Sequence, residues 1–197
     1  MSFRKEKKYK LTISDFVILK DSLINQGMKM LYESRKINSL YYDTDLKDMF
    51  NDSEEGVLPR KKVRIRWYKD TQKANLEIKT SSIEGRFKTT NLQGYKSIDE
   101  FPKMLLDPIY GALSPSLLIS YTREYYSFFN MRITFDSSIS YQNYRFSNKS
   151  IFEDPERVME IKVGFDIDDN YIKKYVPYPT TRFSKYSRGL LISGGTF

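Results

Sequence analysis

Arginine and lysine recur at every second position in one stretch of the 197-residue chain: Arg60, Lys62, Arg64 and Arg66, ending on Tyr68. Val63, Ile65 and Trp67 stand between them, after Lys61. Such alternation puts the two sets on opposite faces of a β-strand, one basic and one core. Guanidinium groups fork onto phosphate and carboxylate oxygens. Neighbouring like charges about 5 Å apart repel by roughly 3 kcal/mol at an effective dielectric of 20. Repeated on adjoining strands, the arrangement calls for a polyanion to neutralise it.

The composition limits the other chemistry. Cys 0 and His 0 exclude a disulfide framework, a Cys/His zinc site, a Ser-His-Asp triad and a cysteine nucleophile. Catalysis falls to carboxylates, Lys, Arg, Tyr, Ser or a hard metal ion. Lys+Arg 33 against Asp+Glu 25 gives a net charge of +8, which favours an anionic partner: nucleic acid, a phosphate-rich ligand or an acidic membrane. With 40 % hydrophobic and 29 % charged residues, residues 1–197 are expected to form a single globular domain. No apolar run reaches the roughly 20 residues of a spanning helix. The charged start through Arg4, Lys5, Lys7 and Lys8 is unlike an export signal, so the expected location is the cytoplasm.

The elements that must position these side chains are mostly strands. Period-two patterns predict them at about residues 3–11, 35–43, 59–69, 73–80, 84–92, 117–126, 130–136, 139–146 and 157–164. Helices are predicted at about 14–26 with Ser14 as N-cap, 46–51, 97–106 and 184–192, and Asp168-Asp169-Asn170 reads as a turn. Short loops between consecutive strands imply an antiparallel sheet or barrel with helices outside it.

The parity sorting extends beyond the first strand. Glu77 and Lys79 oppose Leu76 and Ile78, and Arg86 and Lys88 oppose Phe87. Arg132, Thr134 and Asp136 oppose Met131, Ile133 and Phe135; Glu160 and Lys162 oppose Met159, Ile161 and Val163. Arg4, Glu6, Lys8 and Lys10 share one side of the first strand, with Lys5 and Lys7 on the other, and Arg123 stands among tyrosines. For any one strand, a basic face turned to water is the ordinary alternative. Glu6, Glu77 and Glu160 are either ion-pair partners or oxygen ligands for a divalent cation.

Several runs, in order, resemble the VTC domain, the polyphosphate polymerase branch of the triphosphate tunnel metalloenzymes. They are Arg4-Lys5-Glu6-Lys7-Lys8-Tyr9, Ser39-Leu40-Tyr41-Tyr42-Asp43-Thr44, Lys62-Val63-Arg64-Ile65-Arg66, Leu76-Glu77-Ile78-Lys79, Ser120-Tyr121-Thr122-Arg123, Arg132-Ile133-Thr134-Phe135-Asp136, Met159-Glu160-Ile161-Lys162 and Phe183-Ser184-Lys185-Tyr186. The resemblance implies an α+β fold, a closed antiparallel β-barrel of about eight strands with helices outside. It also implies transfer of the terminal phosphate of ATP to polyphosphate inside a basic tunnel, with Mn²⁺ or Mg²⁺. By motif, Arg64, Arg66, Lys79 and Arg123 are the catalytic set. Lys8, Lys62, Lys88, Arg132, Lys162, Arg182, Ser184 and Lys185 bind or line the path of substrate. Glu160 is the main metal ligand, with Glu6 and Glu77 as further candidates.

The related triphosphatases and cyclases carry Glu-x-Glu-x-Lys in the first strand, where this chain has Arg4, Glu6 and Lys8. That departure favours the polymerase branch. Hydrolysis of a triphosphate is the alternative, and a non-enzymatic polyanion or RNA binder comes third, supported by charge and by the 16 tyrosines of the chain. Nucleic acid is not the expected partner. Replacing Arg64 or Arg66 by Ala is expected to cut activity and spare folding.

Overall fold

A computed structural model describes residues 4–68, 73–93, 95, 97–145 and 150–194. In chain order the elements are β1 (Arg4–Leu11), α1 (Ile13–Asn25), β2 (Lys29–Asp43), α2 (Asp48–Glu55), β3 (Arg60–Tyr68), β4 (Ala74–Ser82) and β5 (Gly85–Gln93). Then follow β6 (Leu105–Asp107), β7 (Gly111–Phe128), β8 (Met131–Asn143), β9 (Ile151–Glu153), β10 (Arg157–Gly164), α3 (Asp169–Tyr175) and α4 (Lys185–Ile192). The side chains of Arg4 and Arg86 lie outside the described residues, as do the expected strand ends at Phe3, Lys69 and Phe146. The chain forms two compact units: Met1–Arg35, Tyr121–Ile139 and Glu153–Phe183, and Lys36–Ser120, Ser140–Phe152 and Ser184–Phe197.

In the first unit β10 pairs antiparallel with β1 on one side and β8 on the other. The register aligns Tyr9 with Met159 and Phe135, and Lys7 with Ile161 and Ile133. The odd positions of β8 and β10, with Tyr9, form a core with Leu19 and Leu23 of α1 and Ile172 of α3. α1 is capped by Thr12 rather than Ser14: the Thr12 hydroxyl accepts from the Asp15 amide at 3.1 Å, which leaves Ser14 inside the first turn. Lys5 and Lys7, which blur the parity of β1, reach to the start of α3. Lys5 Nζ donates to the Ile167 carbonyl at 2.9 Å, and Lys7 Nζ lies 2.6 Å from Asp169. The predicted turn there is the N-terminus of α3, with the Asp168 carboxylate accepting from the Asn170 amide at 2.9 Å. Where two strands were expected, β8 runs unbroken, because Ser138 absorbs the bend in a left-handed conformation at φ 48°.

In the second unit β2, β3, β4 and β5 pair in sequence, all antiparallel. Leu40, Val63 and Ile65 build a core with Met49 of α2 and Leu113 of β7. The buried Asp43 carboxylate accepts from the amides of Thr44, Met49 and Phe50, which sets the start of α2 two residues later than predicted. The helix predicted at 97–106 is a single 3₁₀ turn, Ile98–Glu100, followed by β6, since Pro102 holds Phe101 extended. α4 begins one residue after the predicted 184–192, because Ser184 is its N-cap, its hydroxyl accepting from the Ser187 amide. Gly189 lets α4 sit close against the sheet: a Cβ there would lie 2.4 Å from Tyr141 and 2.6 Å from Leu117.

The expected closed barrel is not formed by hydrogen bonds. Among the described residues the strand order has two ends, β1 pairing with β10 and β5 with β4. The outer edge of β1 is taken instead by irregular chain, the Thr181 amide donating to the Lys8 carbonyl at 2.8 Å. β5 ends the order with exposed Lys88, Thr89, Thr90 and Asn91, side chains that keep an edge soluble.

Candidate functional site

The ladders of the second unit stack the predicted basic residues in rows. Tyr41, Arg64 and Glu77 are successive register partners across β2, β3 and β4. Ser39, Arg66 and Asn75 form the next row, and Lys62, Lys79 and Lys88 form a row of lysines across β3, β4 and β5. Like charges directly opposite each other on a sheet destabilise it. The polar face is closed to water at its centre, where Arg64 is 6 % exposed and Glu77 3 %, while Lys79 and Lys88 are exposed. At Arg64 one face of β3 meets the apolar core and the other a charge network, whereas Arg60, Lys62 and Arg66 on the same face are half-buried.

Glu77 is the hub of that network. Arg64 donates to its Oε2 through Nε at 2.7 Å and Nη2 at 2.5 Å, and Lys88 Nζ donates to Oε1 at 2.5 Å. Arg66 Nε lies 3.8 Å from Oε2 and donates to the Ser39 hydroxyl at 3.2 Å. Burial alone would push the Glu77 carboxyl up, but the charges of Arg64 and Arg66 and the bonds from Lys88 and Arg64 outweigh it and hold the group at about 2. Arg64 Nη1 donates to the Tyr41 hydroxyl at 2.7 Å. Lys62 Nζ donates to the Ser184 hydroxyl at 2.9 Å, tying β3 to the cap of α4, and Lys185 opens that helix.

The first unit gathers the other predicted residues into a different pattern. Glu6, Lys162 and Arg132 share one row across β1, β10 and β8; Lys8, Glu160 and Thr134 share the next. Lys162 Nζ lies 3.0 Å from Glu160 Oε1 and 3.9 Å from Glu6 Oε2, and Lys8 Nζ is 3.4 Å from Glu6 Oε1. Lys8 also donates to the Phe183 carbonyl at 3.0 Å. Arg123 grips the buried Asp136 with both Nε at 2.6 Å and Nη2 at 2.7 Å. Burial pushes Glu160 up, but Arg123, Lys162 and Lys8 pull it further down, so it is ionised across the neutral range. Arg132 and Arg182 are exposed, with Arg132 5.9 Å from the centre of the Tyr125 ring.

The three metal candidates differ in what they offer an ion. Both oxygens of Glu77 are engaged by cations, so it is a counter-ion rather than an open donor. Glu160 is ionised and bound by one lysine that it shares with Glu6, which suits a hard cation held by few carboxylates and completed by water and phosphate oxygens. No cluster of three or more acidic side chains placed to hold a metal occurs among the described residues. Removing Arg64 would take both bonds from Oε2 of a buried carboxylate and leave Lys88 and Arg66 beside it, so a cost in stability is predicted where the sequence alone suggested none. Tyr41 and Asp136 are members of these networks that were not picked out as site residues. Parity signalled both: Tyr41 alternates with the core residues Leu40 and Tyr42, and Asp136 with Phe135.

The chain is of antiparallel α+β architecture, with arginines and lysines closing on buried carboxylates across its strands. The VTC domain model matches residues 3–193, and the chain belongs to that family. No curated protein shows significant similarity to it. Solved structures share the fold at low identity. One described as a candidate adenylate cyclase from Bacillus halodurans has a TM-score of 0.60 at 15% identity, covering 93% of this chain and 94% of its own. A protein from Pyrococcus horikoshii OT3 has a TM-score of 0.57 at 11% identity, covering 92% and 98%. A candidate adenylyl cyclase from Hippeastrum, described as revealing a dominant triphosphatase activity, has a TM-score of 0.54 at 15% identity, covering 99% and 97%. No helix among the described residues is long and apolar enough to cross a membrane.

Proposed function

We propose that the chain acts as a single VTC domain and is a metal-dependent phosphotransferase that moves the terminal phosphate of ATP onto a polyphosphate chain. The observation that carries this reading is the in-register set Lys62, Arg64, Arg66, Lys79 and Lys88 on β3, β4 and β5, of which Arg64, Arg66 and Lys88 close on Glu77, the one carboxylate of those strands. That excess of fixed positive charge is complementary to a row of phosphates. Phosphoryl transfer asks a protein mainly for orientation and for neutralisation of the phosphate oxygens. Arg64 and Arg66, pinned by Glu77 and Ser39, would present rigid donors to those oxygens. Lys62, Ser184 and Lys185 would hold the neighbouring phosphate, with Lys79 and Lys88 as exposed cations along the same face.

Arg123 and Lys8, with Lys162, Arg132 and Arg182, are assigned to further phosphates. Glu160, aided by Glu6, would hold Mn²⁺ or Mg²⁺. When bound, such an ion would supply charge neutralisation to phosphate oxygens. The attacking atom is an ionised oxygen of the growing chain, so no general base is needed. Its bond to the γ-phosphorus forms as the bond to the bridging oxygen of ADP breaks, and the negative charge passes to ADP.

A second reading, hydrolysis of a triphosphate by water, is favoured by the Hippeastrum structure and its described triphosphatase activity. Incubation with ATP and Mn²⁺ and resolution of the products separates the two. Long polyphosphate with ADP supports transfer, free phosphate or pyrophosphate without polymer supports hydrolysis, and no turnover with either metal sinks both.

A further inference from the structure

The hydroxyl of Tyr41 lies inside the cation cluster, although no phosphate chemistry above uses it. Tyr41 is buried, and its oxygen accepts from Arg64 Nη1 at 2.7 Å. Arg64, Arg66 and Lys62 act on it from β3 and Lys79 from β4, while Tyr186 of α4 stacks on its ring with centres 4.7 Å apart. Burial pushes the phenol up, but these four cations outweigh burial and bring it down to about 7. Tyr186 is the opposite case. Its hydroxyl donates to the buried Asp43 at 2.6 Å, and burial together with that carboxylate keeps it protonated far above the usual tyrosine range. Of the two stacked phenols, Tyr41 is the one able to change charge near neutrality.

We infer that Tyr41 is a positioning residue of the phosphate site: its oxygen steers Arg64, and a phosphate anion arriving at Arg64 is accompanied by transfer of one proton from solvent to that oxygen. The inference rests on the phosphate-binding reading of the β2–β5 face. The physics is linkage. An anion on Arg64 and its neighbouring cations cancels the field that stabilises the phenolate, so the O–H bond re-forms and no other bond changes. The neutral phenol still accepts from Arg64 and keeps the guanidinium in place. Above neutrality, binding therefore takes up a proton and weakens as pH rises, by up to about tenfold per pH unit in the limit. Below neutrality Tyr41 is already protonated and contributes no such dependence.

The test is calorimetric titration of inorganic tripolyphosphate into the full chain at about pH 8, in two buffers of different ionisation heat, for the wild type and Tyr41→Phe. Subtracting the two proteins cancels the protons that belong to the ligand and to the lysines. The wild type should take up nearly one proton more than the variant. Equal proton counts with both proteins binding would overturn the inference while leaving the phosphate reading intact; a wild type that fails to bind tripolyphosphate overturns both. Should Tyr41→Phe not fold, the tyrosinate absorption of the wild type decides. One phenol should ionise around neutrality in the free protein and be reprotonated on adding tripolyphosphate, and absence of that signal defeats the proposal.

Discussion

The polar faces of the two units carry the same residue types in different proportions. On β3, β4 and β5, lysines and arginines surround the single carboxylate of Glu77 and drive it strongly acidic. On β1, β10 and β8, acid and base alternate: Glu6 with Lys162, and Lys8 with Glu160. Both faces lie opposite a core of alternating apolar residues, so the difference is one of charge balance rather than of backbone. An excess of cations along strands leaves a face repulsive, and a bound anion would relieve that repulsion. The other face pairs each carboxylate with a cation and still carries Arg132, so it is nearer to balance and would suit holding a carboxylate in place for a metal.

Breaking the unbalanced face should have the largest effect. Arg64→Ala is expected to lower turnover by on the order of a hundredfold to a thousandfold. It should also lower stability by about 3–5 kcal/mol, because Glu77 is left buried with its main partner gone. Steady-state assay and urea unfolding of the same preparation check both. Arg66→Ala is the cleaner probe, since Arg66 sits 3.8 Å from Glu77 and Lys88 and Arg64 remain. Its activity should fall while its urea midpoint stays close to the wild type.

On the face nearer to balance, Glu160→Gln should flatten the dependence of turnover on added Mn²⁺ or Mg²⁺. A variant with the wild-type metal titration would remove Glu160 from the metal role. A further contrast is in acid. Glu77 sits at about 2 against an ordinary 4.5, so the stability it contributes is complete above pH 4.5 and is lost as the pH falls toward 2. That loss is on the order of 3 kcal/mol, and Glu77→Gln should remove this part of the acid slope in urea midpoints measured against pH. The smallest effect belongs to Asp169→Asn, whose partners Lys5 and Lys7 are bound at the surface. Unchanged turnover and melting temperature are expected there.

Parity made the polar faces legible from sequence because it depends only on the period of a strand. Val63, Ile65, Met159 and Ile161 could be sorted from Arg64, Arg66, Glu160 and Lys162 without knowing any partner. Partnerships were not legible. Arg64 and Glu77 lie 13 positions apart, and only the β3–β4 register brings them together. Arg123 and Asp136 are hidden in the same way across β7 and β8. The sequence also left open whether the basic face met water, since burial of a charged row requires its network to be in place. Local signals misled at the start of α1, which Thr12 caps in place of Ser14, and where Ser138 imitated a strand end that β8 passes through.

The phosphate assignment of the β2–β5 face is tested most directly by equilibrium binding of inorganic tripolyphosphate to the wild-type chain and to Arg66→Ala. The expected result is binding that weakens about tenfold or more in the variant while unfolding by urea is unchanged. Equal affinities in two equally folded proteins, or a wild type that does not bind, would contradict it.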